Sequence, residues 1–230
     1  MNNNKWSRRQ ILQWAGAGLL FNTAGTLLYD PIGRLIMPIN SKLGEVLLSP
    51  RPVPEFTAAQ IQPDKLIINS YNGTPQIDPQ QFRLQIIGQV EKPLSLSLAD
   101  LRQLTFTSTI IQQVCVEGWA AVVQWGGVRL GDLLQMATLK NNAKYVYFSS
   151  ADGYYESWDL ASALHPQTML AYEKNGAPLP PDNGAPLRLS APVKLGYKLS
   201  KWVTEVIVTD RLLPKRGYWE DQGYDWFAGI

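Results

Sequence analysis

Cysteine and histidine are almost absent from this 230-residue chain, which contains one of each. A single cysteine cannot form a disulfide within the chain, so we expect the hydrophobic core to hold the fold together. A single histidine excludes metal sites built from several imidazoles, such as HExxH zinc sites and the two-histidine facial triad. A metal bound here would therefore take few ligands from the protein and the rest from another source.

Excess charge of one sign is also missing, since the formal net charge is +2 and no basic run is interleaved with aromatic residues. This pattern excludes a general nucleic-acid binder. The chain has no haem-attachment motif, no cysteine set for an iron–sulfur cluster and no nucleotide fingerprint. What is present, 45% apolar and 17% charged residues, is typical of a globular protein.

The first 28 residues are typical of a targeting segment. Lys5 and the adjacent Arg8 and Arg9 precede a moderately apolar stretch at 11–28. This favours a twin-arginine signal over a general secretory one, and we expect export to the periplasm. No clear A-x-A cleavage site follows, so an uncleaved leader that anchors the chain in a membrane stays open, as does an ordinary N-terminal helix.

Proline content divides the rest of the chain in two. Residues 29–65 are rich in proline, which disfavours regular helix and predicts an extended linker or wrapping arm. The folded body is expected at 66–230, without internal repeats. Its patterning predicts an α+β fold with mixed strands and short helices.

Particular segments of the body are assigned by hydrophobic spacing. A capping box at Ser97–Asp100 predicts a helix through Leu104, and apolar spacing predicts a second helix at 128–137. The predicted strands are 82–86 (ending near Gly88), 107–116, 144–149 and 202–209, with shorter ones at 171–172 and 187–189. The strand at 107–116 would deliver Cys115 near its end.

Three motifs carry the chemistry of the body: QVCVEGW at 113–119, LPPDNGAPLRL at 179–189 and KLGYKLSKW at 194–202. Together they resemble the oxidoreductase molybdopterin-binding domain of the sulfite oxidase superfamily, over roughly 67–210. The nearest likeness is to the periplasmic protein-methionine-sulfoxide reductase catalytic subunits. The resemblance implies a mixed-sheet sulfite-oxidase-type fold, a Mo-molybdopterin cofactor and oxidoreductase activity.

Cys115 is the metal ligand that the resemblance implies. In this family molybdenum is held by two dithiolene sulfurs of one molybdopterin, one cysteine thiolate and oxo groups, and a soft thiolate suits such a site. The alternative is a buried cysteine that packs as a small apolar residue. The Glu117-Gly118-Trp119 sequence that follows favours the ligand.

The resemblance also implies the residues that bind the cofactor. They are Asn72, Cys115, Ser150, Asn183, Arg188, Leu199, Ser200 and Lys201. Cationic forks suit the phosphate of the pterin, although Arg188 and Lys201 are alternatively solvated surface charges. Ser150 keeps the hydroxyl of the family's threonine. The sequence after Asn72 departs from the family pattern, so that side of the pocket is expected to differ.

The residues after Cys115 indicate the reaction. Sulfite oxidases carry arginines there, whereas this chain has Glu117 and Trp119, which suit a neutral sulfoxide better than a dianion. We therefore interpret the chain as reducing S-oxides such as methionine sulfoxide, small or protein-borne, with Glu117 as a catalytic proton relay. Three alternatives stay open: a sulfite or other small-oxyanion enzyme, a non-catalytic cofactor-binding module, and an exported module without cofactor.

Two further features complete the expectations. The family relative takes electrons from a membrane haem-containing subunit, which implies a similar membrane or cytochrome donor here. His165 precedes Pro166 and is interpreted as a hydrogen-bonded structural residue rather than a catalyst. The aromatic and acidic tail at 217–226 is expected to pack over the cleft or to dock a redox partner, with ordinary packing as an equal alternative.

Overall fold

Two β-sheets organise the part of the chain that the computed structural model describes, which is 51–230 together with Ile39, Leu43 and Val46. The strands of 51–230 are β1 (Leu84–Gly88), β2 (Leu94–Leu96), β3 (Thr107–Val114), β4 (Ala120–Arg129), β5 (Tyr145–Ser150), β6 (Tyr155–Asp159), β7 (Met169–Lys174), β8 (Ala177–Pro178), β9 (Arg188–Ser190) and β10 (Val203–Thr209). The α-helices of the same range are α1 (Leu98–Gln103), α2 (Leu130–Ala137) and α3 (Leu160–Ala163). The predicted α+β class is confirmed.

The first sheet has the order β2-β1-β10-β5-β6, in which β1 and β10 run parallel and the other pairs are antiparallel. The second has the order β3-β4-β7-β8, with β9 also paired to β7, and is antiparallel. A main core cluster combines side chains from both sheets and from α2, such as Ile86, Val206, Leu133 and Leu189. The sheets therefore share a core, which fixes the loops between their strands relative to one another.

Local signals located several elements correctly. Ser97 caps α1: its side chain accepts a hydrogen bond from the backbone of Asp100, whose carboxylate accepts one from the Ser97 backbone. The strand predicted at 107–116 is β3, which ends at Val114. The strand predicted at 202–209 begins one residue later, because Trp202 has a left-handed φ of +51°.

The helix predicted from 128 begins later, at Leu130, and β4 was not predicted. Val128 and Arg129 belong to β4 and pair with Leu170 and Met169 of β7. Two consecutive glycines at 126–127 obscure the strand pattern, and the register shifts between them. Glycine is needed there because a side chain at 127 would collide with the carbonyl of Leu170.

The described part of the proline-rich segment lies along the second sheet. The Phe56 amide donates to Ile110 of β3, and the Gln62 amide donates to Val122 of β4, each over 2.9 Å. The leader predicted at 1–28 lies outside the described residues, and the three-part domain organisation stays a prediction. Among the residues that the structure describes, no helix has the length and apolarity needed to span a bilayer.

Candidate active site

A cavity of about 370 Å³ is formed mainly by connections between strands. Its walls come from the β3–β4, β5–β6, β8–β9 and β9–β10 connections with the start of β9, from 66–71 and from 218–224. Cavities of this size commonly hold a small ligand or cofactor. Because the walls come from distant parts of the sequence, the cavity exists only when both sheets are assembled.

Cys115 lies in the turn between β3 and β4 and lines this cavity. Its amide donates to the Trp119 carbonyl over 2.9 Å, and the Gly118 amide donates back to the Cys115 carbonyl over 3.1 Å. Gly118 has a φ of +87°, which glycine adopts without strain. The turn therefore presents a largely buried thiol to the cavity.

One carboxylate oxygen of Glu117 contacts several polar groups near this thiol. Its Oε2 accepts hydrogen bonds from Asn69 Nδ2 at 2.9 Å and Trp119 Nε1 at 2.8 Å, and lies 3.5 Å from Cys115 Sγ. The hydrogen bond from Trp119 is the largest cause of a lowered pKa at Glu117. Burial raises the pKa of the Cys115 thiol. The cavity therefore has a carboxylate beside a protonated thiol at neutral pH.

Arg188 contributes a buried cation. Its Nη1 donates to the Asn183 carbonyl over 2.9 Å, and its guanidinium stacks on the Trp125 ring, 4.2 Å from the centroid. The salt bridges within 51–230 do not include it. Burial lowers the pKa of Arg188 to about 9. A buried guanidinium without a carboxylate suits an anion that comes from outside the chain.

Asn183 and Gly184 form a turn against which two basic residues of the cavity wall, Arg188 and Lys201, pack. Asn183 is buried, lines the cavity, and accepts a hydrogen bond at Oδ1 from Lys174 Nζ over 3.0 Å. A side chain at Gly184 would lie 3.0 Å from the Cβ atoms of both Arg188 and Lys201. Glycine therefore allows the two basic residues to pack against this turn.

Lys201 links two walls of the cavity. Its Nζ donates to the carbonyls of Asn69 and Asp182, the latter over 3.0 Å, and lies 4.2 Å from the Trp202 ring centroid. Burial lowers the pKa of Lys201 to about 8. Its ammonium thus connects the Glu117 side of the cavity, through Asn69, with the Asn183 turn.

Several buried oxygens here have no hydrogen-bond partner among the described residues. They include Ser200 Oγ and Gln113 Oε1, on residues that line the cavity, and Ser150 Oγ at the end of β5. Leu199 lines the wall beside Ser200. Buried polar atoms normally have partners, so the two oxygens on cavity-lining residues suit a polar ligand.

The structure brings six of the eight predicted cofactor residues into the cavity wall, and Ser150 and Asn72 are not in it. Asn72 instead donates to the Asp152 carbonyl over 2.9 Å. Sequence reasoning missed Asn69 and Asp152, which do line the wall. Asn69 lies only three residues before the predicted asparagine, but its contact with Glu117 spans 48 residues, so no local pattern identified it.

The sequence also did not predict that six aromatic residues together form one wall of the cavity, the aromatic wall. It consists of Tyr71, Tyr154, Tyr197, Tyr218, Trp219 and Tyr224, all of which line the cavity. The Tyr71 and Tyr218 rings lie 4.6 Å apart, and Tyr218 and Trp219 lie 5.1 Å apart. Of the expectations for the tail, packing at the cleft is thus the one that the structure bears out.

A buried charge network fixes this tail. Lys198 Nζ lies 2.5 Å from both Glu156 Oε1 and Glu220 Oε1, and all three side chains are at most 1% exposed. Burial raises the pKa of Glu156 well above its usual range despite the nearby lysine. The raised pKa favours the protonated form of Glu156 beside the Lys198–Glu220 ion pair.

His165 lies outside the cavity wall. Its Nδ1 accepts from the Gln167 amide at 3.3 Å, so Nε2 carries the proton and donates to the Arg51 carbonyl at 3.1 Å. His165 is thus hydrogen-bonded through both ring nitrogens, which fits a structural residue, and that interpretation stays a prediction.

Residues 71–219 match a family model described as the oxidoreductase molybdopterin binding domain. A putative protein-methionine-sulfoxide reductase subunit of Azospira oryzae is 40% identical over 179 residues, which are 74% of this chain and 68% of the relative. A protein-methionine-sulfoxide reductase catalytic subunit of Xanthomonas campestris is 34% identical over 196 residues, 71% of this chain and 60% of the relative. That of Campylobacter jejuni is 32% identical over 171 residues, 66% of this chain and 57% of the relative.

The fold also matches a solved structure. The crystal structure of the sulfane dehydrogenase SoxCD from Paracoccus pantotrophus aligns with a TM-score of 0.60 at 25% identity. The alignment covers 66% of this chain and 48% of that one. This chain therefore spans between about half and two thirds of the length of the proteins it matches.

Proposed function

This chain belongs to the oxidoreductase molybdopterin-binding domain family, and from that premise we propose that it reduces S-oxides such as methionine sulfoxide, free or protein-borne. Family membership makes it an oxidoreductase with a Mo-molybdopterin cofactor. The named relatives are methionine-sulfoxide reductase subunits, which supports this choice of substrate.

The residues of the cavity fit that cofactor. No group of three or more His, Cys, Asp or Glu side chains in the described chain is placed to hold a metal alone. As the family resemblance implies, the thiol of Cys115 would be the one protein ligand to molybdenum, and a soft thiolate suits that role. Arg188 and Lys201 match an anionic phosphate, and Ser200 Oγ and Gln113 Oε1 are free to bond polar atoms of the pterin.

The bound cofactor supplies oxygen-atom transfer coupled to a two-electron change at molybdenum. The chain's own residues bind and orient. Arg188, Asn183 and Lys201 would bind the anionic part of the cofactor, and Cys115 would bind the metal. The aromatic wall lines the same cavity as the thiol and offers rings on which a planar ligand could stack.

The surroundings of Cys115 support a neutral substrate most directly. Within the cavity wall the cations are Arg188 and Lys201, and both bond carbonyls of the turn at 182–183. The group beside the thiol is instead the Glu117 carboxylate. A carboxylate there repels a dianion such as sulfite, whereas a sulfoxide carries no net charge.

The catalytic role of Glu117 stays a prediction. Its Oε2 is fixed by Asn69 and Trp119, so the carboxylate has one orientation relative to Cys115. As a proton relay it would pass a proton to the departing oxygen, and its lowered pKa means that it would first have to take up that proton.

The route of export and the source of electrons belong to the same proposal. The twin-arginine pattern at 5–28 supports export of the folded, loaded protein to the periplasm, with the leader either removed or kept as an anchor. A membrane haem-containing subunit or a cytochrome would supply the electrons.

Elemental analysis together with a sulfoxide assay tests this function. We expect about one molybdenum per chain, by the one-thiol coordination argued above, and dye-coupled reduction of methionine sulfoxide. Cys115→Ser should lose both, while the exposed Lys144→Met should keep both. Metal-loaded protein that oxidises sulfite but reduces no sulfoxide would establish the oxyanion alternative. Loaded protein that turns over neither would establish a non-catalytic module.

A further inference from the structure

Lys174 lies outside the cavity wall and donates a hydrogen bond to the side chain of Asn183, which lines the cavity. Its Nζ donates to Oδ1 of Asn183 over 3.0 Å, whereas Lys174 itself is not part of the cavity wall. Lys174 is the last residue of β7, half-buried and opposite Trp125 of β4. The rigid sheet therefore fixes the direction from which Lys174 reaches Asn183.

This contact determines which end of the Asn183 amide faces the cavity. An ammonium group has three donors and no acceptor, so only the amide oxygen can face Lys174. The amide nitrogen Nδ2 then has no acceptor among the described residues and is left to donate into the cavity. Without Lys174 the terminal amide torsion would be soft, and either end could face inward.

Lys174 also adds a third cation to Arg188 and Lys201. None of the three is in a salt bridge with a carboxylate of the described residues. Burial and the charge of Arg188 lower the pKa of Lys174, and they act on Lys201 in the same way. Although Asp152 and Asp182 partly offset the charge at Lys201, three cations that form no salt bridge favour an anionic occupant.

We propose that Lys174 is a positioning residue for the cofactor, which it does not touch. It holds the Asn183 amide with its N–H groups directed into the cavity, where acceptor atoms of the pterin would meet them. This deepens the proposed function at the same site, but it rests on cofactor binding alone and not on the sulfoxide substrate.

Cofactor retention by the loaded enzyme tests the proposal. Wild type, Lys174→Met, Lys174→Arg and the exposed control Lys144→Met are purified after loading and passed over gel filtration at increasing times. Molybdenum and released pterin are then measured. We expect Lys174→Met to lose cofactor about 10- to 100-fold faster, as when groups that orient a ligand residue are removed. Lys174→Arg, which keeps donor and charge, should behave as wild type.

A double-mutant cycle shows whether Lys174 acts through Asn183. Lys174→Met should add nothing to the faster loss caused by Asn183→Ala. Additive effects of the two substitutions would refute the positioning role. So would a lowered melting temperature of cofactor-free Lys174→Met, since the faster loss would then follow from a weaker fold.

The proposed sulfoxide substrate and the proposed role of Lys174 can be refuted independently of each other. Variants that follow the expected retention pattern in an enzyme that reduces no sulfoxide would refute the substrate and leave the role of Lys174 standing. Normal sulfoxide reduction together with unchanged cofactor retention in Lys174→Met would refute the role of Lys174 and leave the proposed substrate standing.

Discussion

Arg188 is buried without a carboxylate partner, and burial lowers its pKa. A cation in this position weakens the cofactor-free fold but favours an anionic ligand. Its stacking on Trp125 and its bond to the Asn183 carbonyl orient the guanidinium without neutralising it.

Replacing Arg188 should therefore separate stability from binding. We expect Arg188→Met to raise the unfolding free energy of the cofactor-free protein by about 1 kcal/mol, since an apolar side chain replaces an unpaired buried charge. The loaded protein should lose its molybdenum. Urea unfolding and elemental analysis measure the two effects, with the exposed Arg211→Met as control. A less stable cofactor-free variant would mean that Arg188 is a structural residue.

The buried His165 should make the stability of the folded protein depend on pH. Burial lowers the pKa of His165, although its hydrogen bond to the Arg51 carbonyl opposes the shift. Its contribution to stability is full above the unfolded pKa of about 6.5 and is lost as the pH falls through the lower folded pKa. We expect the stability difference between wild type and His165→Gln to shrink on acidification, as measured by melting from pH 8 to 5. A difference independent of pH would contradict this assignment.

The predicted residues that the structure brings together in the cavity wall include several from the three short motifs. Cys115, Asn183 and Arg188 lie within motifs and also line the cavity. Asn69 and Lys174 were not predicted, because their roles depend on partners that folding brings near.

At the scale of elements, the tail segment is attached to the first sheet by a lysine between two acids. The short helical turn Glu220–Gln222 supplies one carboxylate and β6 supplies the other, Glu156. Tyr155 of β6 also donates a hydrogen bond to Asp221 over 2.7 Å. The aromatic wall is therefore positioned by charges that water does not reach.

Substitutions in this network should have very unequal effects. Lys198→Met leaves two buried acids without a counter-charge and should cost about 3–5 kcal/mol of unfolding free energy. Glu156→Gln resembles the protonated carboxyl that its raised pKa indicates, and should cost less than about 1 kcal/mol. Urea denaturation measures both. Equal losses would mean that Glu156 is ionised in the folded protein.

The elements that patterning did not predict have specific reasons. In β4 two glycines are required by the close approach of β7, which removes the apolar alternation. In β6 the sequence Glu156-Ser157 is polar but fully buried, because Lys198 arrives from another connection to pair with it. The hydrophobic pattern of a short segment contains no information about a partner 42 residues away.

At the scale of the whole molecule, the cavity joins parts of the chain from Leu66 to Tyr224. A ligand that binds only the folded form stabilises it by mass action. We expect the loaded protein to melt about 10 °C above the cofactor-free protein, which corresponds to a few kcal/mol in a domain of this size. Differential scanning calorimetry checks this, and hydrogen exchange should slow at 115–119, 181–184 and 218–224 together. Protection limited to one of these segments would mean that the cofactor contacts only part of the cavity.

The lone thiol of Cys115 has a practical consequence. Because the chain has one cysteine and that cysteine lies in the cavity wall, a thiol-alkylating reagent has a single target in each molecule. If Cys115 binds molybdenum as proposed, its thiolate is shielded from alkylation in loaded molecules. In cofactor-free molecules the thiol faces the cavity and can react, although its raised pKa slows the reaction. The mass of the labelled protein therefore counts empty and filled molecules in any preparation, before a substrate is known.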